Sequence, residues 1–316
     1  MKPYYIFSIN KNGHYEDYAK VLSSLISAKV IRSTIQQLKI SFSSNSIIFL
    51  DGDSFHLLFF PIIVLRSLLG YKNYLFSIRT ERVLDVPLQK LIKLPIYKLL
   101  KSFTNTRIIS IHKDNIRAEY HSFVTDFIFD IQYWDLKYLD LQSEQPIELN
   151  NLDISNTISI IGEFNNKKSR KELISFLKVN KGFDFKFLFA GKIFEEDLAF
   201  LKNHQNCIVL DRYISNEEIL FIYENSKLIW CYYSNDVERP SGIFGRAIQL
   251  KKHAIVREDG HLHKSNFNNP NLIKIREVKE MLNINFDLKI VNWENSRDSS
   301  IDLLKILDQD LTGMNY

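Results

Sequence analysis

Apolar residues along this chain fall into two series, each alternating a short apolar run with a longer stretch of helical spacing. In the first series the short runs are Tyr4 to Ile9, Ser46 to Leu50, Tyr74 to Ile78, Arg107 to Ile111 and Phe127 to Ile131. Their content of Ile, Phe and Tyr reads as strand. Between them, residues near 15–27, 55–69, 87–103 and 113–122 space their apolar positions three and four apart and are expected to be helical. The second series gives strands at Thr157 to Gly162, Phe185 to Ala190, Cys207 to Leu210, Leu228 to Tyr232 and His253 to Val256. Helices are expected near 169–179, 194–203, 215–226 and 244–251, with a last one from Asn295 to Leu311. Strands alternating with helices imply parallel sheets. A polar, turn-prone stretch after Trp134, YLDLQSEQPIELNNLDISN, separates the series. The expectation is an α/β protein of two Rossmann-like parallel-sheet domains, 1–145 and 146–316, facing across a cleft, with the final helix packing back on the first domain.

Composition agrees with this and narrows the setting. A chain of 316 residues with 45% hydrophobic and 25% charged residues is an ordinary globular one, which excludes disorder. Cys207 and Cys231 have neither metal spacing nor a pairing framework, so they read as buried thiols in a reducing compartment. The start, MKPYYIFSIN, enters a strand at once without a signal peptide's apolar core, and residues 55–69 are too short and interrupted to span a bilayer. A cytoplasmic protein is expected.

Charge is uneven. The net value is +4, yet Arg66 to Arg117 holds eleven Lys and Arg against three acids, an excess of +8, while residues 151–316 hold 23 of each sign. A basic first half points to an anionic membrane surface or a phosphorylated lipid, and no nucleic-acid motif accompanies it. Within it, residues 87–103 set Lys90, Lys93, Lys98 and Lys101 among leucines and isoleucines, with Pro95 expected to kink the helix. That pattern fits a helix lying on anionic lipid, and equally a domain helix with solvated lysines.

The chemistry concentrates in VERPSGIFGRAIQLKKHAIV, residues 237–256. Glu238 precedes a turn of small residues, Pro240, Ser241, Gly242 and Gly245, then a helical run and an apolar strand. Glycine lets a ligand approach the backbone, and the open N–H groups of a helix start attract anions. Arg246 sits where the helix dipole disfavours a cation, so it needs another partner, and a diphosphate would serve. Such a turn also commonly does no more than join a strand to a helix. In INKNGHYEDY, residues 9–18, His14 is of the side-chain type whose ordinary pKa lies near neutrality and Asp17 follows one helical turn on, so either could take a proton from an acceptor hydroxyl; a capping role is the alternative. Asp51-Gly52-Asp53 has the form of a metal-binding D-x-D, but only 50 residues precede it, and it is read as a strand-end turn with no metal assigned.

In order of features, residues 157–310 resemble the donor-sugar domain of GT-B glycosyltransferases, especially the retaining group called family 4. The resemblance runs through ISIIGEFNNKKSRKEL, FKFLFAGK, VLDRYISNEEILFIYENSKLIW, the Glu238 turn and NWENS. It implies that Gly162 and Gly191 flank the donor, that Arg170 and Lys171 hold its diphosphate, with Lys167 and Lys168 as rivals, and that Arg212 and Tyr213 lie at the base. Glu238, Arg239, Ser241, Gly242, Gly245 and Arg246 would take the sugar and phosphates. The Gly-His pair at His14 resembles loops that approach the acceptor. One departure is plain: the family has two glutamates separated by seven residues, and counting from Glu238 reaches Arg246. The implied activity is transfer of a sugar from a nucleotide-diphosphate donor, without cofactor or metal, to a glycan or lipid-linked glycan, in bacterial surface polysaccharide synthesis beside the cytoplasmic membrane. The alternatives are a sugar-nucleotide epimerase of the same fold and a non-catalytic membrane-surface module.

Overall fold

The described strands form two parallel sheets, and their inner strands, such as Ser46–Phe49, Asn73–Ser77, Thr157–Ile161 and Leu228–Trp230, are buried along their whole length, as parallel sheets covered on both faces require. The computed structural model describes residues 3–9, 13–50, 59–114, 116–237, 240–285, 287–293 and 296–308. The chain divides into two compact units, Met1–Leu139 with Arg297–Tyr316, and Asp140–Ser296.

The first unit runs β1 (Tyr4–Phe7), α1 (His14–Ile26), β2 (Lys29–Ile31), α2 (Thr34–Ser41), β3 (Ser46–Phe49), α3 (Phe59–Leu68), β4 (Asn73–Ser77), α4 (Glu81–Asp85), α5 (Pro87–Lys101), β5 (Thr106–Ser110) and β6 (Asp126–Phe127). Its sheet has the order β2-β1-β3-β4-β5-β6. The second runs β7 (Thr157–Ile161), α6 (Arg170–Val179), β8 (Lys186–Ala190), α7 (Glu195–Asn203), β9 (Cys207–Leu210), α8 (Asn216–Asn225), β10 (Leu228–Trp230), α9 (Gly242–Gln249), β11 (His253–Arg257), α10 (His261–Ser265) and β12 (Leu272–Ile275), in the order β12-β11-β10-β7-β8-β9. A last helix, α11 (Ser300–Ile306), belongs to the first unit.

Several elements differ from the sequence expectation. The strand expected at Phe127 to Ile131 is only β6, because the Asp130 carboxylate accepts the Gln132 N–H and turns the chain into a short 3₁₀ segment at Ile131–Tyr133. The described residues of 113–122 offer one buried side chain, Tyr120, too little for an amphipathic helix, and form a 3₁₀ turn at Ala118–Ser122. The elements β2, α2, α4, α10 and β12 are additional to the expected ones; β2 and β12 are short edge strands, α4 and α10 are five residues each, and α2 buries Gln37 and Ser41, so no apolar stripe marks it.

Much of the basic excess of the first unit is internal wiring. Arg66 is buried on α3, donating to Asn73 Oδ1 at 2.7 Å and to the carbonyls of Ser41 and Asn45 at 2.6 Å each, and burial lowers its pKa to about 10. Lys101 donates to the His121 and Val124 carbonyls, Lys113 pairs with Asp302, and Arg117 with Asp85. No described helix is long and apolar enough to cross a membrane.

Candidate functional site

The second sheet reverses direction between β7 and β10. From β7 the chain builds outward through β8 to β9, then returns to the other side of β7 to lay down β10, β11 and β12. Loops leaving the carboxyl ends of β7 and β10 diverge at that point, and a crevice at such a reversal is where open α/β sheets bind ligands.

The loop after β7 begins at Gly162, with φ of 78°. Gly191, directly after β8, has φ of 137°, and a Cβ on it would stand 2.5 Å from the Gly162 carbonyl oxygen. Two bare backbones therefore touch where side chains would push the loops apart. Beneath this contact lies Lys168, buried, its ammonium donating to the Ile161 carbonyl; a Cβ on Gly162 would be 3.3 Å from its Nζ. Desolvation lowers the Lys168 pKa to about 8, against weaker support from Cys231 and Glu163. The Cys231 thiol beside it is pushed far up by burial.

The loop after β10 is tied to the same place. The Trp230 indole N–H donates to the Lys168 carbonyl at 3.1 Å, and the Ser234 N–H to the Lys167 carbonyl at 2.8 Å. At the end of β11, Arg257 donates to Ser169 Oγ and Glu172 Oε1, each at 3.0 Å, and lies 4.1 Å over the Tyr232 ring. Helix α9 then starts at Gly242. Ser241 caps it by accepting the Phe244 N–H at 3.3 Å, and the Tyr233 hydroxyl shares a hydrogen bond with Ser241 Oγ at 2.8 Å. Gly242, Gly245 and Arg246 are buried within α9, and Arg246 donates to Asn216 Oδ1 at 3.0 Å, toward the start of α8.

The other expected residues are placed as follows. The Arg170 guanidinium is buried, pairs with Asp197 at 2.7 Å and with Glu196, and lies over Phe194, so it fastens α6 to α7. Lys171 next to it is exposed. Arg212 is clamped between Glu148 and Glu218, both at 2.7 Å, and this holds the Glu148 carboxyl down to about 2. Tyr213 is 76% exposed, its ring open to a stacking partner. In the first unit, α1 starts at His14 and Asp17 is buried in its first turn. They follow β1, which pairs with β2 on one side and β3 on the other, the reversal point of that sheet. Glu238, Arg239, the His14 side chain, Asp51 and Asp53 lie outside the described residues. Among the described residues no three His, Cys, Asp or Glu gather as a metal site.

Sequence reasoning ranked Lys168 only as a rival and did not single out Trp230, Tyr233 or Arg257. The one available signal was a lysine six positions after the strand-end glycine; the other three act through pairings between distant segments.

No family model matches the chain and no curated protein matches its sequence. Solved structures do match. HepE from Anabaena, crystallised in complex with UDP and glucose, matches over 97% of this chain and 94% of its own, with 11% identity and a TM-score of 0.54. A UDP-forming α,α-trehalose-phosphate synthase from Burkholderia xenovorans matches over 92% of this chain and 73% of its own, with 8% identity and a TM-score of 0.50. The two parallel sheets and these likenesses define the fold class: the chain has the GT-B fold.

Proposed function

We propose that the protein is a glycosyltransferase that binds a nucleotide-diphosphate sugar at the β7/β10 reversal of its second unit and passes the sugar to an acceptor hydroxyl. The observation that carries this is that the bare Gly162–Gly191 contact, the buried Lys168 ammonium and the residues after β10 that lead to the Ser241-capped start of α9 gather at the carboxyl ends of neighbouring strands. A diphosphate there would meet the positive end of α9 and a lysine, groups that bind it and stabilise it as a leaving group. Lys168 takes the place first given to Arg170, whose charge is engaged on α7, while the exposed Lys171 can still reach an outer phosphate oxygen. Arg212 and Tyr213 would border the base, and Glu238 and Arg239 the sugar. With positive charge from lysine and N–H groups, transfer is expected to need no metal. In the first unit, His14 or Asp17 would take the acceptor proton, and the acceptor would be a glycan or lipid-linked glycan at a membrane surface, as in surface polysaccharide assembly. UDP bound in HepE, a protein of the same fold, supports UDP as the first nucleotide to try.

The test is calorimetric titration and thermal shift with UDP, ADP and GDP. Ligand bound only by the native state must raise its melting temperature. Lys168→Met should weaken the best binder about ten- to a hundredfold, the loss of one charge-assisted contact of about 1.5–3 kcal/mol. Because free Lys168 loses its proton near pH 8 and a diphosphate favours its charged form, wild-type affinity should fall as pH rises above about 8. That fall should be absent in Lys168→Met. Failure of every nucleotide to shift the melting temperature would defeat the reading, and conversion of a nucleotide sugar to an epimer without acceptor would replace transfer by epimerisation.

A further inference from the structure

Helix α5 turns an apolar stripe to solvent. Leu88, Leu91, Ile92, Pro95 and Leu99 recur at helical spacing and stack along one side. That side is the outer one: Tyr97 and Leu100 are the buried residues of α5, whereas Leu88 is 67% and Leu91 75% exposed. Helix α3 repeats the pattern, with Ile63, Arg66 and Ser67 turned inward and Leu65, Leu68 and Leu69 exposed. The two helices touch, and right-handed crossovers through adjacent β3, β4 and β5 put them on the same side of the sheet. Helices on a globular surface ordinarily present polar residues outward. Here neither helix carries an acid at all; the exposed Lys98 borders the stripe beside Leu91, and Lys90, one position before Leu91, is exposed as well.

We propose that the outer face of α3 and α5 docks on an anionic lipid bilayer, with Leu88, Leu91, Ile92 and Leu99 entering the headgroup–acyl boundary and Lys90 and Lys98 meeting lipid phosphates. This deepens the membrane part of the proposed function and rests on that reading for its purpose, though not for its geometry. Charge selects the occupant. A second copy of the chain would set lysine against lysine with no carboxylate on either helix, whereas an anionic bilayer offers an apolar layer beneath a negative one. The mode also changes from the sequence expectation. With Lys101 held by carbonyls and Arg66, Lys113 and Arg117 engaged within the unit, the leucines dominate the contact. Apolar insertion is not screened by salt, unlike attraction between surface charges.

The full-length protein, without nucleotide, is sedimented with vesicles of phosphatidylcholine alone and of phosphatidylcholine and phosphatidylglycerol in equal parts, at low and high salt. Wild type should prefer the mixed vesicles and keep most of its binding at high salt. Leu88→Gln with Leu91→Gln should lower the partition coefficient at least about tenfold at both salt levels. Lys90→Gln with Lys98→Gln should lower it about tenfold at low salt and little at high salt. Since all four side chains are exposed, both variants should keep the wild-type melting temperature and nucleotide affinity. The proposal is overturned if wild type ignores the mixed vesicles, or if the leucine variant binds them as wild type does. A concentration-dependent dimer that the leucine variant abolishes, with no vesicle binding, would overturn it in favour of a second copy. Vesicle binding in a protein that ignores every nucleotide would uphold this face and remove the donor site.

Discussion

Gly191 carries the strictest local requirement of the candidate site. Its φ of 137° belongs to glycine, and a Cβ would lie 2.5 Å from one backbone atom of Gly162 and 2.6 Å from another. Neither obstacle is a flexible side chain, so the loops after β7 and β8 would have to part. Gly191→Ala should therefore destabilise the second unit by about 3 kcal/mol or more, seen as a lower urea midpoint. Gly182→Ala is the control, since nothing lies within 4 Å of its added carbon and its φ is not positive; it should leave the midpoint unchanged or raise it slightly. At this scale the sequence revealed residue types and their order but not their commitments. Gly162 and Gly191 stand out as strand-end glycines, yet their mutual contact is a fact of two strands brought side by side. Arg170 and Lys168 read alike as cations after a strand. Only packing shows that one is bound to the carboxylates of α7 and the other buried beneath a glycine turn.

Elements were more legible, because their signals are local. Strands such as β7, TISII, buried throughout, and β8, KFLFA, buried from Phe187 to Ala190, fall within one residue of their expected bounds because the apolar runs mark them. The helix expected near 215–226 owes its start to a reciprocal cap: Ser215 accepts the Glu218 N–H at 3.1 Å, and the Glu218 carboxylate accepts the Ser215 N–H at 3.0 Å. Ser215→Ala should cost about 1 kcal/mol, read from the denaturation midpoint. Glu218 also receives Arg212, which in turn holds Glu148, so the cap stiffens the surroundings of Tyr213 as well as one helix end. What stayed illegible were β2, α2, β12 and the one-turn helices α4 and α10. Their stability comes from neighbours rather than from their own pattern, as when the Gln37 amide donates to the Ile31 carbonyl at 2.8 Å to join α2 to β2.

For the molecule as a whole, the decisive feature is a first unit made of two separated stretches of chain. Helix α11 buries Leu303 and Leu304, and Leu307 beyond it is buried too. Polar ties fix the segment: Lys113 to Asp302 at 2.7 Å, Lys72 to Asp308 at 2.6 Å, and the Phe129 N–H to Ser299 Oγ at 3.1 Å. Leu303→Ala or Leu304→Ala should each cost about 2–5 kcal/mol. That loss should appear in the melting of the first unit, while the nucleotide-dependent thermal shift of the second persists. An equal loss from both units would mean that they unfold as one.

The same arrangement sets an order of events during synthesis. Domains fold as units while the ribosome is still working, and residues 140–296 are contiguous, so the second unit has all its parts before α11 is made. The first unit waits. Its sheet leaves the ribosome early, but the surface that receives Leu303, Leu304 and Leu307 stays uncovered until the entire second unit has been translated. A chain released before Ser300 should thus present a finished second unit joined to an unfinished first unit with exposed apolar surface, the form on which chaperones act.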